Sequence, residues 1–290
     1  MRIGWRVFVA LVAAGVVVTA LMVAPSVAAG GLLYPQRHAV TAAIPPGCEN
    51  RDFEGEGLTL RGWSCAAIGR RRGTIVYLHG IADNRGSSAG VVPRFTPRGF
   101  DVIAYDSRRH GESPGEVCTY GFVEKRDLRR VIDGLQGQSP VLIGTSLGAA
   151  VALQEAASDP RIAAVIAAEP FSDLRTVATE RAPWFLPPPV IRKAFMVAEQ
   201  RGGFLVDAVS PAQAARAIKA PVLLIHGAED TDTPPAHSQR IFDALTGPRR
   251  LILVPNAAHN QSLYGPGVWT EIERWIDEAL ELRERRFAAP

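Results

Sequence analysis

The sequence predicts an α/β fold, a mostly parallel central sheet with helices on both faces, and three observations predict it. Short β-branched apolar runs alternate with longer segments of helical period, the alternation that builds strand–helix–strand units. Several of these runs are too continuously apolar to have a wet face, as the central strands of a parallel sheet are. At 290 residues and 47% hydrophobic, the chain is long enough for one large domain with a substantial core.

At the N-terminus, Arg2 and Arg6 precede an uncharged apolar stretch from Val7 to about Val27, and no charged side chain recurs before Arg37. About 20 apolar residues span a bilayer, so residues 1–30 read as a membrane anchor. The competing reading is a signal peptide, with Ser26-Val27-Ala28 offering small residues before a cut. The run exceeds the roughly 7–15 apolar residues of a signal peptide, which favours the anchor. On either reading the arginines stay in the cytoplasm and residues 31–290 form the exported domain. The expected location is the cell envelope, anchored with the domain outside the cytoplasm, or secreted.

A linker-like stretch (Pro35, Pro45, Pro46, Gly47) leads to two strand-like pieces, 51–53 and 58–60, separated by Glu54-Gly55-Glu56-Gly57. That spacer reads as a hairpin turn. A turn centred between Glu56 and Gly57 sets Cys48 opposite Cys65. An oxidising compartment permits a disulfide there; two buried thiols are the alternative. Cys118 is left over, and no close Cys or His pair stands at ligand spacing, so no metal is expected.

Strand candidates then occupy 74–78, 101–105, 141–144, 162–168, 222–226 and 250–254. Phe122, Leu128, Val131, Ile132 and Leu135 recur at helical spacing, as do Val268, Ile272, Trp275, Ile276 and Leu280. About fifty residues separate the strands at 162–168 and 222–226, more than one crossover helix needs. A small cap is expected within about 171–210. Its Trp184, Phe185, Phe195, Phe204 and Pro187-Pro188-Pro189 suit the apolar walls of a covered pocket. Charge points to no nucleic-acid partner, because 32 basic and 29 acidic residues are interspersed without a long run of one sign.

Gly144-Thr145-Ser146-Leu147-Gly148 matches G-x-S-x-G between an apolar strand and a helical run. That strand–turn–helix setting exposes a serine in a strained turn. A serine hydroxyl is a poor nucleophile until a base takes its proton, and only His226, His237 and His259 lie beyond Ser146. His259 follows the last strand, at the carboxyl end of the sheet where open α/β folds gather their sites, and is the candidate base. His226 reads as a hydrogen-bonded turn residue, and His237 as a helix-start residue near solvent. The acid belongs on the loop after the preceding strand, where Glu229, Asp230 and Asp232 compete. Glu169 and Asp173 are weaker options that read as capping or solvated residues. An oxyanion hole would draw on the N–H of Leu147 and, after the first parallel strand, that of Ile81. His79, beside Ile81, reads as a brace of its loop.

Together these residues resemble the α/β-hydrolase superfamily from about Gly57 to the C-terminus. The blocks that carry the resemblance are Tyr77-Leu78-His79-Gly80, Tyr105-Asp106-Ser107-Arg108-Arg109-His110-Gly111-Glu112-Ser113, the Ser146 block, and His226-Gly227-x-x-Asp230-x-x-Thr233-Pro234. The chain is similar to the prolyl-oligopeptidase-like and dienelactone-hydrolase-like branches. It is also similar to N-terminally anchored hydrolases in which a Leu-Tyr-Pro-type segment follows the membrane helix, as Leu32-Leu33-Tyr34-Pro35 does. The resemblance implies the α/β-hydrolase fold and selects Asp230 over Asp232 as the acid.

The expected activity is that of a serine hydrolase needing no cofactor or metal. Ser146, Asp230 and His259 would cleave a carboxylic ester or thioester through an acyl-enzyme. Acyl transfer on the same triad, or a non-catalytic binding protein with this fold, are the alternatives. The chain has no counterpart of the propeller domain that the peptidase branch carries, which disfavours peptide cleavage. Serine at the elbow, where dehalogenases and epoxide hydrolases carry Asp, disfavours their chemistry. The apolar cap beside a membrane-proximal site suggests small-molecule or lipid-like acyl substrates.

Overall fold

Every predicted strand forms, and the computed structural model, which describes residues 2–135 and 138–288, joins them in one eight-stranded sheet. In chain order, α1 (Arg2–Leu33) precedes the hairpin of β1 (Cys48–Glu54) and β2 (Thr59–Cys65). Then come β3 (Gly73–Leu78), the one-turn α2 (Val92–Phe95), β4 (Phe100–Tyr105) and α3 (Glu124–Asp133). The second half holds β5 (Val141–Thr145), α4 (Leu147–Ala156), β6 (Ala164–Ala168), α5 (Leu174–Glu180), α6 (Pro188–Gly202) and α7 (Pro211–Ala215). It closes with β7 (Val222–Gly227), α8 (Ala236–Ala244), β8 (Arg249–Val254) and α9 (Val268–Ala288).

The strand order is β1-β2-β4-β3-β5-β6-β7-β8. β1 pairs antiparallel with β2, and β2 antiparallel with β4; all remaining pairs are parallel. Every residue of β6 and β7 is buried, which is why their sequences lack the alternation of a half-wet strand. Period two still operates within them, because successive side chains point to opposite faces. Leu142 and Leu224 pack on the face covered by α3, α4 and α8. Their neighbours Ile143 and Ile225 pack on the face covered by α2 and α9.

In the hairpin, Cys48 stands opposite Cys65, and the two form a disulfide. Its loop of this length restricts the unfolded chain, so replacing both cysteines with serine is expected to cost about 2–4 kcal/mol of stability. Denaturant unfolding with and without reductant measures that cost; reductant should destabilise the native chain and leave the double variant unchanged. Cys118 is a buried free thiol.

Two parts of α1 differ. Its described residues from Gly4 to Val23 are exposed, whereas from Ala24 to Leu33 most are partly or fully buried. The stretch Gly4–Leu33, of mean hydropathy 2.8 in its most apolar window, is long and apolar enough to cross a membrane. Ala29 and Leu33 belong to the same core as α3 and α4. The last carbonyls of α1 are satisfied from the domain: Cys118 N–H donates to Leu33 O at 2.9 Å and Tyr120 Oη donates to Leu32 O at 3.0 Å.

Between β6 and β7 the chain makes the expected excursion, but its aromatics do not wall a pocket. Phe195 and Phe204 are buried in the core, while Trp184 is 95% and Phe185 64% exposed. The reason is helix packing. Composition cannot say which side of α6 another helix covers, and here α1 lies along it.

Candidate active site

Ser146 sits between β5 and α4 with φ 47° and ψ −111°, a conformation that costs a side-chain-bearing residue and persists only where its surroundings hold it. Two glycines provide that hold. A Cβ on Gly144 would lie 2.5 Å from the Gly148 carbonyl, and one on Gly148 would lie 2.2 Å from Leu78 O, so the turn closes only with hydrogen at both positions. Ser146 N–H donates to Ala168 O at 2.8 Å, which fastens the turn to β6.

The loop after β8 brings His259 to this serine. Ser146 Oγ lies 3.1 Å from His259 Nε2, and His259 Nδ1 lies 2.6 Å from Asp230 Oδ2. The loop carrying Asp230 and the loop carrying His259 touch at Gly227, where a Cβ would fall 2.3 Å from Ala257 O. Asp230 is buried, whereas Glu229 and Asp232 are exposed, so of the three competing carboxylates only Asp230 reaches the imidazole. Its second oxygen accepts N–H bonds from Asp232 at 3.0 Å and Thr233 at 2.8 Å.

His226 supports the acid from below. Its Nδ1 lies 2.6 Å from Ser238 Oγ and its Nε2 2.7 Å from Thr233 O. Nε2 therefore carries the proton, and it also stands 3.3 Å from Asp230 Oδ2. Burial works against the ionised form of Asp230, but the hydrogen bonds from His226, His259 and Thr233 outweigh it and hold the carboxyl well below its ordinary value.

Glu169 departs from its sequence reading as a solvated or capping residue. It is buried, accepts the N–H of Asn260 and, at 2.9 Å, that of Ser262, and stands 3.9 Å from His259 Nδ1. It positions the histidine loop. Glu169, Asp230 and His259 bring three potential ligand atoms within 4.8 Å of one another. Their engagement with each other and with backbone N–H groups is that of a hydrogen-bond network. Asp173 behaves as expected, capping α5 through Thr176 N–H at 2.8 Å.

His79 braces its loop, accepting Ser107 N–H at Nε2 (2.9 Å) and donating from Nδ1 to Gly80 O (2.7 Å). Burial holds its pKa below the ordinary value, and burial brings neighbouring His110 down to about 4. The Tyr105–Ser113 block is a buried clasp. Asp106 accepts Arg85 N–H at 2.7 Å, Glu112 N–H at 2.8 Å and the Arg85 guanidinium.

His237 lies on the first turn of α8 as expected, but it is fully buried. Its Nδ1 is 2.8 Å from Ser172 Oγ and its Nε2 2.7 Å from Glu180 Oε2. This second serine–histidine–carboxylate set differs from the first in access. Ser172 is fully enclosed, whereas a cavity of about 410 Å³ opens at Thr145, the residue before Ser146, lined also by Gly80, Ile81, Glu169, Tyr264 and Trp269. Leu147 begins α4, where first-turn N–H groups lack intrahelical partners. Ile81 follows β3 across from it, and a Cβ on Gly80 would lie 3.6 Å from that of Ser146.

Comparison with known proteins places this geometry. Residues 73–195 match the model of the alpha/beta hydrolase fold, and residues 135–282 match that of the prolyl oligopeptidase family. The uncharacterized Bacillus subtilis protein YqkD is 33% identical over 199 residues, 65% of each chain. An esterase from Pyrococcus furiosus, PF2001, superposes with a TM-score of 0.65 at 22% identity, covering 87% of this chain and 98% of its own. Acylaminoacyl peptidase from Pyrococcus horikoshii superposes at 0.59 and 17% identity, over 75% of this chain and 38% of its own. The chain is thus a hydrolase with the α/β-hydrolase fold and belongs to the prolyl oligopeptidase family.

Proposed function

We propose that the chain is a serine hydrolase that cleaves carboxylic esters or thioesters, held by α1 at the membrane with its catalytic domain outside the cytoplasm. The observation that carries the chemistry is the unbroken hydrogen-bond chain from Asp230 through His259 to Ser146, next to a cavity lined by the neighbouring Thr145 and by Asn260. Ser146 Oγ attacks the acyl carbon as its proton passes to His259 Nε2. Asp230 holds the tautomer that accepts this proton and stabilises the imidazolium. The N–H groups of Leu147 and Ile81 take up the oxyanion. His259 then protonates the leaving alcohol or thiol, and water repeats the sequence on the acyl-enzyme.

The anchored reading draws support from the packing of α1. A cut after Ala28 would leave Ala29 and Leu33, both built into the core, on a stub of one and a half turns. The arginines at the far end face the cytoplasm.

The ester preference is tested by offering the full chain p-nitrophenyl esters of increasing acyl length alongside acylaminoacyl p-nitroanilides. Turnover of esters at least about 100-fold faster, with an optimum at short to medium chains set by the cavity, is the expected result. Faster anilide cleavage would assign the site to peptides.

A further inference from the structure

The packing of α6 on α1 orients the excursion with respect to the membrane. At Gly202, the end of α6, a Cβ would meet Leu33 Cδ2 at 2.9 Å, and Leu33 is the end of α1. The contact between the helices is extensive, so both must run back from that point side by side. Their buried stripes agree. Pro25, Ala29 and Leu33 repeat every fourth residue on α1, and Val190, Ala194 and Ala198 do so on α6, with small residues that allow close approach. Arg201 adds a bond to Ser26 Oγ at 3.2 Å.

Counting twelve residues back along each helix, about 18 Å at about 1.5 Å per residue, sets Val190 level with Leu21. The turn that precedes α6, with Trp184 and Phe185, therefore lies beside α1 where that helix is apolar and exposed. The two rings are 5.9 Å apart in a T-shaped pair and turned to solvent. Exposed Arg192 and Lys193 stand on the next turn of the helix, at the height of the first packed residues of α1. Aromatic rings below and basic side chains above is the layering of a bilayer interface. The same turn reaches the active site, since Arg181 donates to Asp232 O at 2.8 Å and to Thr233 Oγ1 at 2.6 Å, on the loop that carries Asp230.

We propose that residues 183–187 dip into the interfacial layer of the bilayer that α1 spans and seat the active-site mouth on lipid, so that the acyl substrate enters from the membrane. The substrate part rests on the serine-hydrolase reading above; the seating rests on the anchoring of α1 proposed with it and not on the chemistry.

The test uses the full chain in phosphatidylcholine/phosphatidylglycerol vesicles. Phe185→Cys is labelled with a nitrobenzoxadiazole fluorophore, the native cysteines being disulfide-bonded or buried. Ile68→Cys, on the exposed connection before β3 at the opposite ends of the parallel strands, is the control. Lipids spin-labelled near the headgroup are expected to quench the probe at 185 at least about twofold and leave that at 68 unchanged. Equal quenching at the two positions overturns the seating, whether or not the enzyme turns over. In the second arm, Trp184→Ser with Phe185→Ser should keep fluorophosphonate labelling and hydrolysis of a soluble short ester, yet hydrolyse a long-chain ester carried in the vesicles roughly tenfold more slowly. Unchanged turnover of the vesicle-borne ester overturns entry from the membrane.

Discussion

Ser146→Ala is expected to lower kcat for ester hydrolysis by about 10⁶-fold while leaving the fold intact. The hydroxyl has one hydrogen-bond partner among the described residues, His259 Nε2, so its loss leaves no buried group newly orphaned. The strained backbone of the turn is held by Gly144, Gly148 and the Ser146 N–H, none of which the substitution touches. What remains is the oxyanion hole and substrate binding, which sustain roughly 10³–10⁴-fold catalysis over water when a triad member is removed. Steady-state hydrolysis and a thermal melt of the same preparation check both halves of the expectation.

Asp230→Asn follows at about 10⁴-fold in kcat. The amide can present its NH₂ to His259 Nδ1, which stabilises the tautomer unable to take the serine proton. It also weakens the acceptor that His226 faces at 3.3 Å. The pH dependence has a definite sign. A carboxyl held below its ordinary value stabilises the fold at pH above its unfolded value of about 3.9 and loses that contribution as pH falls through the depressed folded value. The variant should therefore be less stable than the native chain from neutral pH down to about pH 5, and the gap should close in strong acid. Asp230 remains ionised across the working range, so no limb of the pH–rate profile above about pH 5 arises from it. Denaturant midpoints and kcat over that range measure both.

Local pattern made much of this legible before any coordinates. The elbow is readable because its glycines follow from the space available to one tight turn. The pairing of Cys48 with Cys65 is readable because a strand has period two and the hairpin turn fixes its register. Asp230 could not be separated from Glu229 and Asp232 by spacing. The choice depends on which side chain turns inward, and it took the resemblance to name it and the Thr233 N–H and His226 to explain it. Glu169 reads from sequence only as a weaker option because its partners, the N–H groups of Asn260 and Ser262, lie some ninety residues away; its place directly after β6, at the carboxyl edge of the sheet, is the available signal. His237 reads as near solvent because a helix start carries no record that α5 folds back and covers it with Glu180. Trp184 and Phe185 read as pocket walls on composition alone, whereas they lie on the turn before α6 and face solvent.

Among the described residues, three serines, Ser146, Ser172 and Ser238, lie within hydrogen-bond reach of a histidine that faces a carboxylate, and a single experiment distinguishes them. The full chain is treated with a fluorophosphonate, its intact mass is measured, and the adduct is located by peptide mapping. One adduct per chain on Ser146, lost in His259→Ala, is the predicted result; an adduct on Ser172 or Ser238, or none on a chain that still hydrolyses esters, would contradict Ser146 as the nucleophile.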